Sequence, residues 1–255
     1  MNGYVATLRS AVAEASSNRR ALAFQMGVMI VNDVAWIGFW VLFFRKAGTV
    51  HGWDTSRIVL LQAVLTTAGG FTLGVLSNAR HLSTLALDGR LDAVLSLPVH
   101  PLGHLLMRRI EPTNLGDVVF GVTLFVVAGH PTPGRTVAFV GVSMASVVLL
   151  TSFLVLTGSL SFFAGRSDGG ELGFNAIMLL GNYPLDLFGG AARVMLYTVI
   201  PAAFVATVPA QLIIRFDVRR AAILGGVSAT FAVAALRVFN AGLRRYASGS
   251  VWTRA

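Results

Sequence analysis

The segment Ile58–Asn78 reads IVLLQAVLTTAGGFTLGVLSN and contains no charged residue. A helix of about 20 apolar residues crosses the hydrocarbon core of a bilayer, so this length is typical of a membrane-spanning helix. A transmembrane β-barrel would instead show alternating segments of about ten residues, which this segment does not. The segment therefore predicts a helical membrane protein.

The rest of the chain repeats this pattern. Further apolar segments occupy residues 21–44, 114–129, 137–164, 190–214 and 221–241. Hydrophobic residues make up 55% of the 255 residues, charged residues only 12%, and the mean hydropathy is +0.73, all far from the usage of soluble domains. We expect an all-α membrane protein with a single domain over residues 1–255 and about six transmembrane helices.

Three stretches are predicted to lie at the membrane surface or to enter the membrane partway. Residues 1–20 place apolar side chains at steps of three to four residues, which is typical of an interfacial helix. Residues 172–187 are interrupted by GNYPLD, which favours an interfacial position. Residues 200–214 contain Pro201 and Pro209, and this interruption predicts a re-entrant segment before the last span.

The arginines predict the orientation of the chain. An even number of spans places both termini on one side, and most loop and terminal arginines then share that side, which the positive-inside rule makes cytoplasmic. The arginines of residues 215–220 fall on the opposite side and oppose this assignment. The net charge of +9 fits attraction to anionic membrane lipids. No stripe of aromatic and basic residues indicates nucleic-acid binding.

The loop after the second span contains an amphipathic pattern, LDGRLDAVLSLP, at residues 87–98. Asp88 is a candidate N-cap, Leu91 and Leu95 lie on one face, and Pro98 and Pro101 are expected to end the helix. Asp88 and Asp92, four residues apart, repel each other in an isolated helix but suit a helix that contacts a basic partner. Two interpretations stay open, namely a docking helix and a helix that rests on lipid headgroups.

The chain carries no pattern for chemistry of its own. Lys46 is its only lysine and follows no glycine-rich loop, so a Walker A site is excluded. His100 and His104 have a spacing that suits two metal ligands, but no carboxylates accompany them, and we expect no metal site. No histidine lies within a clear span, and no cysteine is present. We therefore expect neither an enzyme nor a cofactor-binding chain.

Polar residues within the spans need an explanation, because charged side chains are costly in hydrocarbon. Asp33, beside Asn32 in the first span, is expected either to pair with another group or to line a transport path. Asp117 is expected to be structural, in the first turn of its helix. Asp186 and Arg193 are expected to pair near the cytoplasmic surface.

Five short motifs appear in order along the chain and resemble one known family. They are GW at residues 52–53, DGRLDAVLSLPVHP at 88–101, NYPLDLF at 182–188, IPAAFVATVPAQL at 200–212 and GLRRYAS at 242–248. This ordered set is similar to permease subunits of the ABC type-2 exporter class. Within that class it most resembles a bacterial branch related to drug, antibiotic and lipid exporters.

The resemblance implies a multi-pass protein of the bacterial cytoplasmic membrane with both termini in the cytoplasm. Residues 87–98 would form a cytoplasmic coupling helix that contacts a separate ABC ATPase subunit. Its contact residues would be Asp88, Gly89, Arg90, Leu91, Asp92, Leu95 and Pro98. ATP and Mg²⁺ would be bound by that ATPase and not by this chain. A second permease chain, identical or homologous, would complete the transporter, and Asn32 and Asp33 would line the path between the two permeases.

Two other functions fit the composition. A proton-coupled secondary transporter would use Asp33 as its proton-linked carboxylate and would show inverted repeats, which the sequence lacks. A membrane scaffold without transport activity would leave Asp33 unexplained. The sequence favours something amphipathic or hydrophobic as cargo over a small ion, because few polar groups lie within the spans.

Overall fold

The computed structural model describes residue 13 and residues 19–87, 91–95, 100–165 and 169–252. Within these ranges the chain is helical and forms no strand. The α-helices are α1 (Arg19–Ala47), α2 (Thr55–Val75), α3 (Leu82–Leu87), α4 (Asp92–Leu95), α5 (Pro101–Met107), α6 (Leu115–Ala128), α7 (Pro133–Ser159), α8 (Ser161–Ala164), α9 (Gly169–Gly181), α10 (Gly190–Thr198), α11 (Val208–Ile214) and α12 (Val218–Trp252). The interfacial helix predicted for residues 1–20 lies almost entirely outside the described residues.

Four of these helical stretches are long and apolar enough to cross a membrane unaided. They are Leu22–Ala47, Thr55–Val75, Pro133–Ala164 and Val218–Tyr246. Two further pairs of helices pass the same test together, although each is sharply bent. They are Pro101–Met107 with Pro112–Ala128, bent by 76°, and Gly190–Thr198 with Ala203–Ile214, bent by 70°. Four to six candidate spans confirm the predicted all-α membrane protein.

Helix α2 is the centre of the bundle, since most of its side chains are buried. It packs most closely against α6, where glycines of both helices remove the side chains that would keep the backbones apart. A Cβ atom at Gly70 would lie 2.6 Å from the Asn114 carbonyl oxygen, and one at Gly121 would lie 2.6 Å from the Ala63 carbonyl oxygen. Gly70 and Gly74, four residues apart on α2, permit this close packing, and Gly121 adds the facing contact.

The two ends of α2 define the two ends of the bundle. We call them the Trp53 end, where α2 begins, and the Arg80 end, beyond its last turn. Helix α9 connects them, because Glu171 at its start pairs with Arg80 at 2.9 Å, whereas Asp186, just beyond it, accepts a hydrogen bond from Trp53 at 2.8 Å. The expectation that residues 172–187 lie at the membrane surface is wrong, because this segment runs the length of the bundle.

The segment from α10 to α11 begins and ends at the Trp53 end. Arg193 in α10 and Gln211 in α11 both donate hydrogen bonds to Asp186. Between them the chain turns through a π-helical stretch, Ala203–Thr207, whose residues are all buried. Irregular backbone at membrane depth requires surrounding protein, and the bundle provides it here.

The loop between α2 and α6 folds against the Arg80 end. Asn78 donates a hydrogen bond to the Leu105 carbonyl at 2.7 Å, and Ser77 donates one to the Arg109 carbonyl at 2.7 Å. Pro101 begins α5 at its first turn, where a proline lacks no hydrogen bond, and the preceding helix α4 ends at Leu95.

The contact between α2 and α6 can be tested with one methyl group. We expect Gly121→Ala to destabilise the protein by about 1–3 kcal/mol, because the added Cβ overlaps the backbone of α2. Gly141→Ala is the matched control, since nothing lies within 4 Å of a Cβ at that position of α7. Thermal unfolding in detergent measures the difference. Equal midpoints for the two variants would contradict the close contact.

Candidate functional site

The predicted contact residues of the loop after α2 are only partly described. Asp88, Gly89, Arg90 and Pro98 lie outside the described residues, as does the side chain of Asp92. Leu91 is 1% exposed and packs in the apolar core, whereas Leu95 is 39% exposed. Leu87, which sequence analysis did not single out, is 46% exposed as well. Two leucines at this end are therefore available to a partner.

His81 joins this loop to the end of α2. Burial lowers the pKa of its imidazole, against an opposing effect of the Glu111 carboxylate, which raises it. Arg80 and Arg109 lower it further. The imidazole of His81 in the folded loop is therefore neutral at pH 7.

A second candidate site is a cavity of about 370 Å³ between α1, α2, α6 and α9. Its polar lining residues are Asn32, Asp33, Gln62, Thr66, Asp117 and Asn182. Gln62 is held in place, since its amide donates to the Asn182 carbonyl at 3.2 Å. The cavity is thus a polar space enclosed by helices that are otherwise apolar.

Two carboxylates from different helices open onto this cavity. Asp33 Oδ2 and Asp117 Oδ1 are both buried, and neither accepts a hydrogen bond from any described residue. A buried polar atom without a partner is rare in native proteins and calls for water, a proton or a ligand. The sequence pattern indicates Asp33 as a candidate but favours a structural role for Asp117, because its position in the first turn of α6 already explains a carboxylate there.

Asp186 has the opposite surroundings. Its Oδ2 accepts hydrogen bonds from Trp53 at 2.8 Å and from Gln211 at 3.2 Å, and its Oδ1 pairs with Arg193 at 3.1 Å. The predicted pair of Asp186 and Arg193 is confirmed. It lies at the Trp53 end, however, and not at the end of the coupling loop as expected, because α9 carries Asp186 across the bundle.

Among the described residues no group of three or more histidines and carboxylates is placed to hold a metal ion. The structure thus brings together two features with functional potential. One is the pair of exposed leucines, Leu87 and Leu95, in the loop after α2, and the other is the cavity that contains the two carboxylates.

Comparison with known proteins gives one result. A family model described as ABC-2 family transporter protein matches residues 30–250. No curated protein and no solved structure matches the chain.

Because Asp186 is fully hydrogen-bonded and Asp33 is not, we expect their replacement by asparagine to affect stability differently. We expect Asp186→Asn to lower the free energy of unfolding by about 1.5–3 kcal/mol, because it weakens hydrogen bonds to a charged acceptor. Asp33→Asn removes an oxygen that has no partner and should not lower it. Thermal unfolding of both variants in one detergent tests this, and a larger loss for Asp33→Asn would refute it.

His81 predicts a dependence of stability on pH. Because its folded-state pKa is depressed, its contribution to stability is present above about pH 6.5 and is lost as the pH falls through the lowered value. The midpoint of thermal unfolding should therefore drop less between pH 7.5 and pH 5 in His81→Gln than in the unmodified chain. An equal drop would contradict this role for His81.

Proposed function

The chain belongs to the ABC-2 family of transporter proteins, and on this basis we propose that it is the membrane subunit of an ATP-driven exporter. It is a membrane transport component and not an ATPase, which agrees with the missing Walker A motif. ATP and Mg²⁺ are bound by a separate ATPase subunit in this proposal. The proposal places both termini in the cytoplasm of a bacterium, and the majority of the loop and terminal arginines supports this orientation.

Residues 87–98 are the proposed contact with that ATPase. Support comes from the exposed side chains of Leu87 and Leu95 at the Arg80 end, which a partner would cover. These residues belong to the loop between α2 and α6, which is held just beyond α2, where Ser77 and Asn78 donate hydrogen bonds to the Arg109 and Leu105 carbonyls. Because α2 is packed on all sides, a displacement of this loop is passed to the centre of the bundle.

A second permease chain, identical or homologous, is the proposed partner within the membrane. Only 11% of the α1 span and 22% of the α12 span are buried, so both helices keep broad apolar faces for lipid or for another chain. The proposed substrate path includes Asn32 and Asp33, to which the cavity adds Asp117. This assignment gives a role to two carboxylates that each have one buried oxygen without a partner.

The coupling assignment is tested by removing its acidic side chains. We expect Asp88→Ala/Asp92→Ala to lose export and to lose the ATPase that co-purifies with the tagged chain from its native host. The control Asp54→Asn/Asp217→Asn removes two acidic charges at the Trp53 end but keeps two helix caps. Mass spectrometry of the purified complex measures the stoichiometry. Retained export and retained ATPase in the first variant would refute the coupling helix.

A second pair of variants separates docking from folding. Leu95→Ser changes an exposed side chain, so we expect it to reduce ATPase association without lowering thermal stability. Leu91→Ser changes a buried side chain and should lower stability by about 2–5 kcal/mol. A chain that never carries an ATPase, even after crosslinking, would favour a secondary transporter. Proton-dependent flux through Asp33 would then be the next measurement.

A further inference from the structure

A second cavity, of about 540 Å³, opens at the Trp53 end between the 51–53 turn, α10, α11 and the start of α12. The turn is tight, since His51 and Gly52 both have positive φ angles and Val50 and Trp53 exchange two backbone hydrogen bonds. Four arginines line the cavity, and we call it the arginine pocket. They are Arg57, Arg193, Arg215 and Arg220.

The charges of the pocket do not balance. Asp186 is the single acidic residue in its lining, and its two oxygens are already engaged by Trp53, Gln211 and Arg193. Four guanidinium groups and one carboxylate leave a net charge of +3 on the lining at neutral pH. Like charges gathered in one concave site favour the binding of a counter-ion.

Most hydrogen-bond donors of these arginines are unused, since each guanidinium has five. Arg193 contacts Asp186, Arg57 contacts the Gly52 carbonyl and the Asp54 carboxylate, and Arg220 contacts the Gln211 side-chain oxygen at 3.4 Å.

The side chain of Arg215 has no hydrogen bond or ion pair with any residue in the described part of the chain, and the residue is exposed. The pocket therefore offers planar, charged donors, most of which have no acceptor among the described residues.

The position of these arginines has no topological explanation. In the proposed orientation the Trp53 end is the outer end, where the positive-inside rule disfavours clustered arginines. The cluster at residues 215–220 thus works against the orientation that the other arginines favour. A binding role accounts for its presence.

We propose that the arginine pocket binds a phosphate-type anion. A guanidinium group matches the geometry of a phosphate through two parallel hydrogen bonds, and several arginines around one concavity provide such forks from different sides. The other walls are apolar, formed by Phe204, Val208 and Ile214, and these suit the ester part of a phospholipid. The same chemistry is offered by inorganic phosphate. The proposal does not depend on the export function.

The test uses the full chain, purified in a neutral detergent. Two probes, inorganic phosphate and dihexanoyl-phosphatidylglycerol, are titrated by calorimetry at low salt, with phosphate-free dihexanoylglycerol as the apolar control. Arg215→Gln is the test variant, because the Arg215 side chain has no hydrogen bond or ion pair with the described residues that would be lost. Arg219→Gln is the matched control, since Arg219 is adjacent to Arg220 in the chain but does not line the pocket.

We expect a phosphate probe to bind at least tenfold more weakly to Arg215→Gln than to the unmodified chain, and equally well to Arg219→Gln. Arg215→Gln/Arg220→Gln should bind more weakly still. Binding of inorganic phosphate identifies the free anion as a ligand, and binding of the lipid alone identifies the headgroup. Equal binding of dihexanoylglycerol, equal loss in Arg219→Gln, or no binding of either phosphate probe would overturn the proposal.

Discussion

The close approach of α2 and α6 is the constraint on which the rest of the bundle depends. Glycines at positions 70, 74 and 121 allow backbone to touch backbone, and no larger side chain fits between the helices. Without apolar burial to drive helices together in lipid, such contacts provide much of the association energy. The contact also sets the position of the cavity, because Asp117 Cβ is among the atoms that a side chain at Gly70 would meet.

Because α2 is enclosed, it links the two ends of the bundle mechanically. Just beyond its last turn, Ser77 and Asn78 hold the loop, and just before its first turn, Trp53 holds Asp186. A well-packed helix moves as a unit, since packed interiors do not deform continuously. A displacement at one end thus reaches the other as a shift of one rigid element, with the polar cavity alongside it.

The sequence predicts the parts of this fold that depend on local pattern and misses those that depend on distant partners. The long spans and the glycine contact follow from apolar length and spacing. Helix α9 does not, because its 13 residues fall short of the roughly 20 expected for a span. The stretch that completes its path is stabilised by Thr207, Trp53 and Gln211, each far away along the chain. The sequence correctly places Asp117 in the first turn of its helix. It does not show that Asp117 shares a cavity with Asp33, because Asp33 lies on another span.

The three aspartates differ in whether the fold provides hydrogen-bond partners for their oxygens. Asp186 has a donor for each oxygen, so its burial is explained by the segments it joins. Asp33 and Asp117 each leave an oxygen that the fold does not satisfy. Asp33 also faces the cavity of its own chain, whereas much of α1 remains exposed on the other side. A path between two permease chains that includes Asp33 therefore requires α1 to move aside, and a path within one chain does not. In the proposed transporter, the position of α1 therefore decides whether a path between two chains reaches these carboxylates.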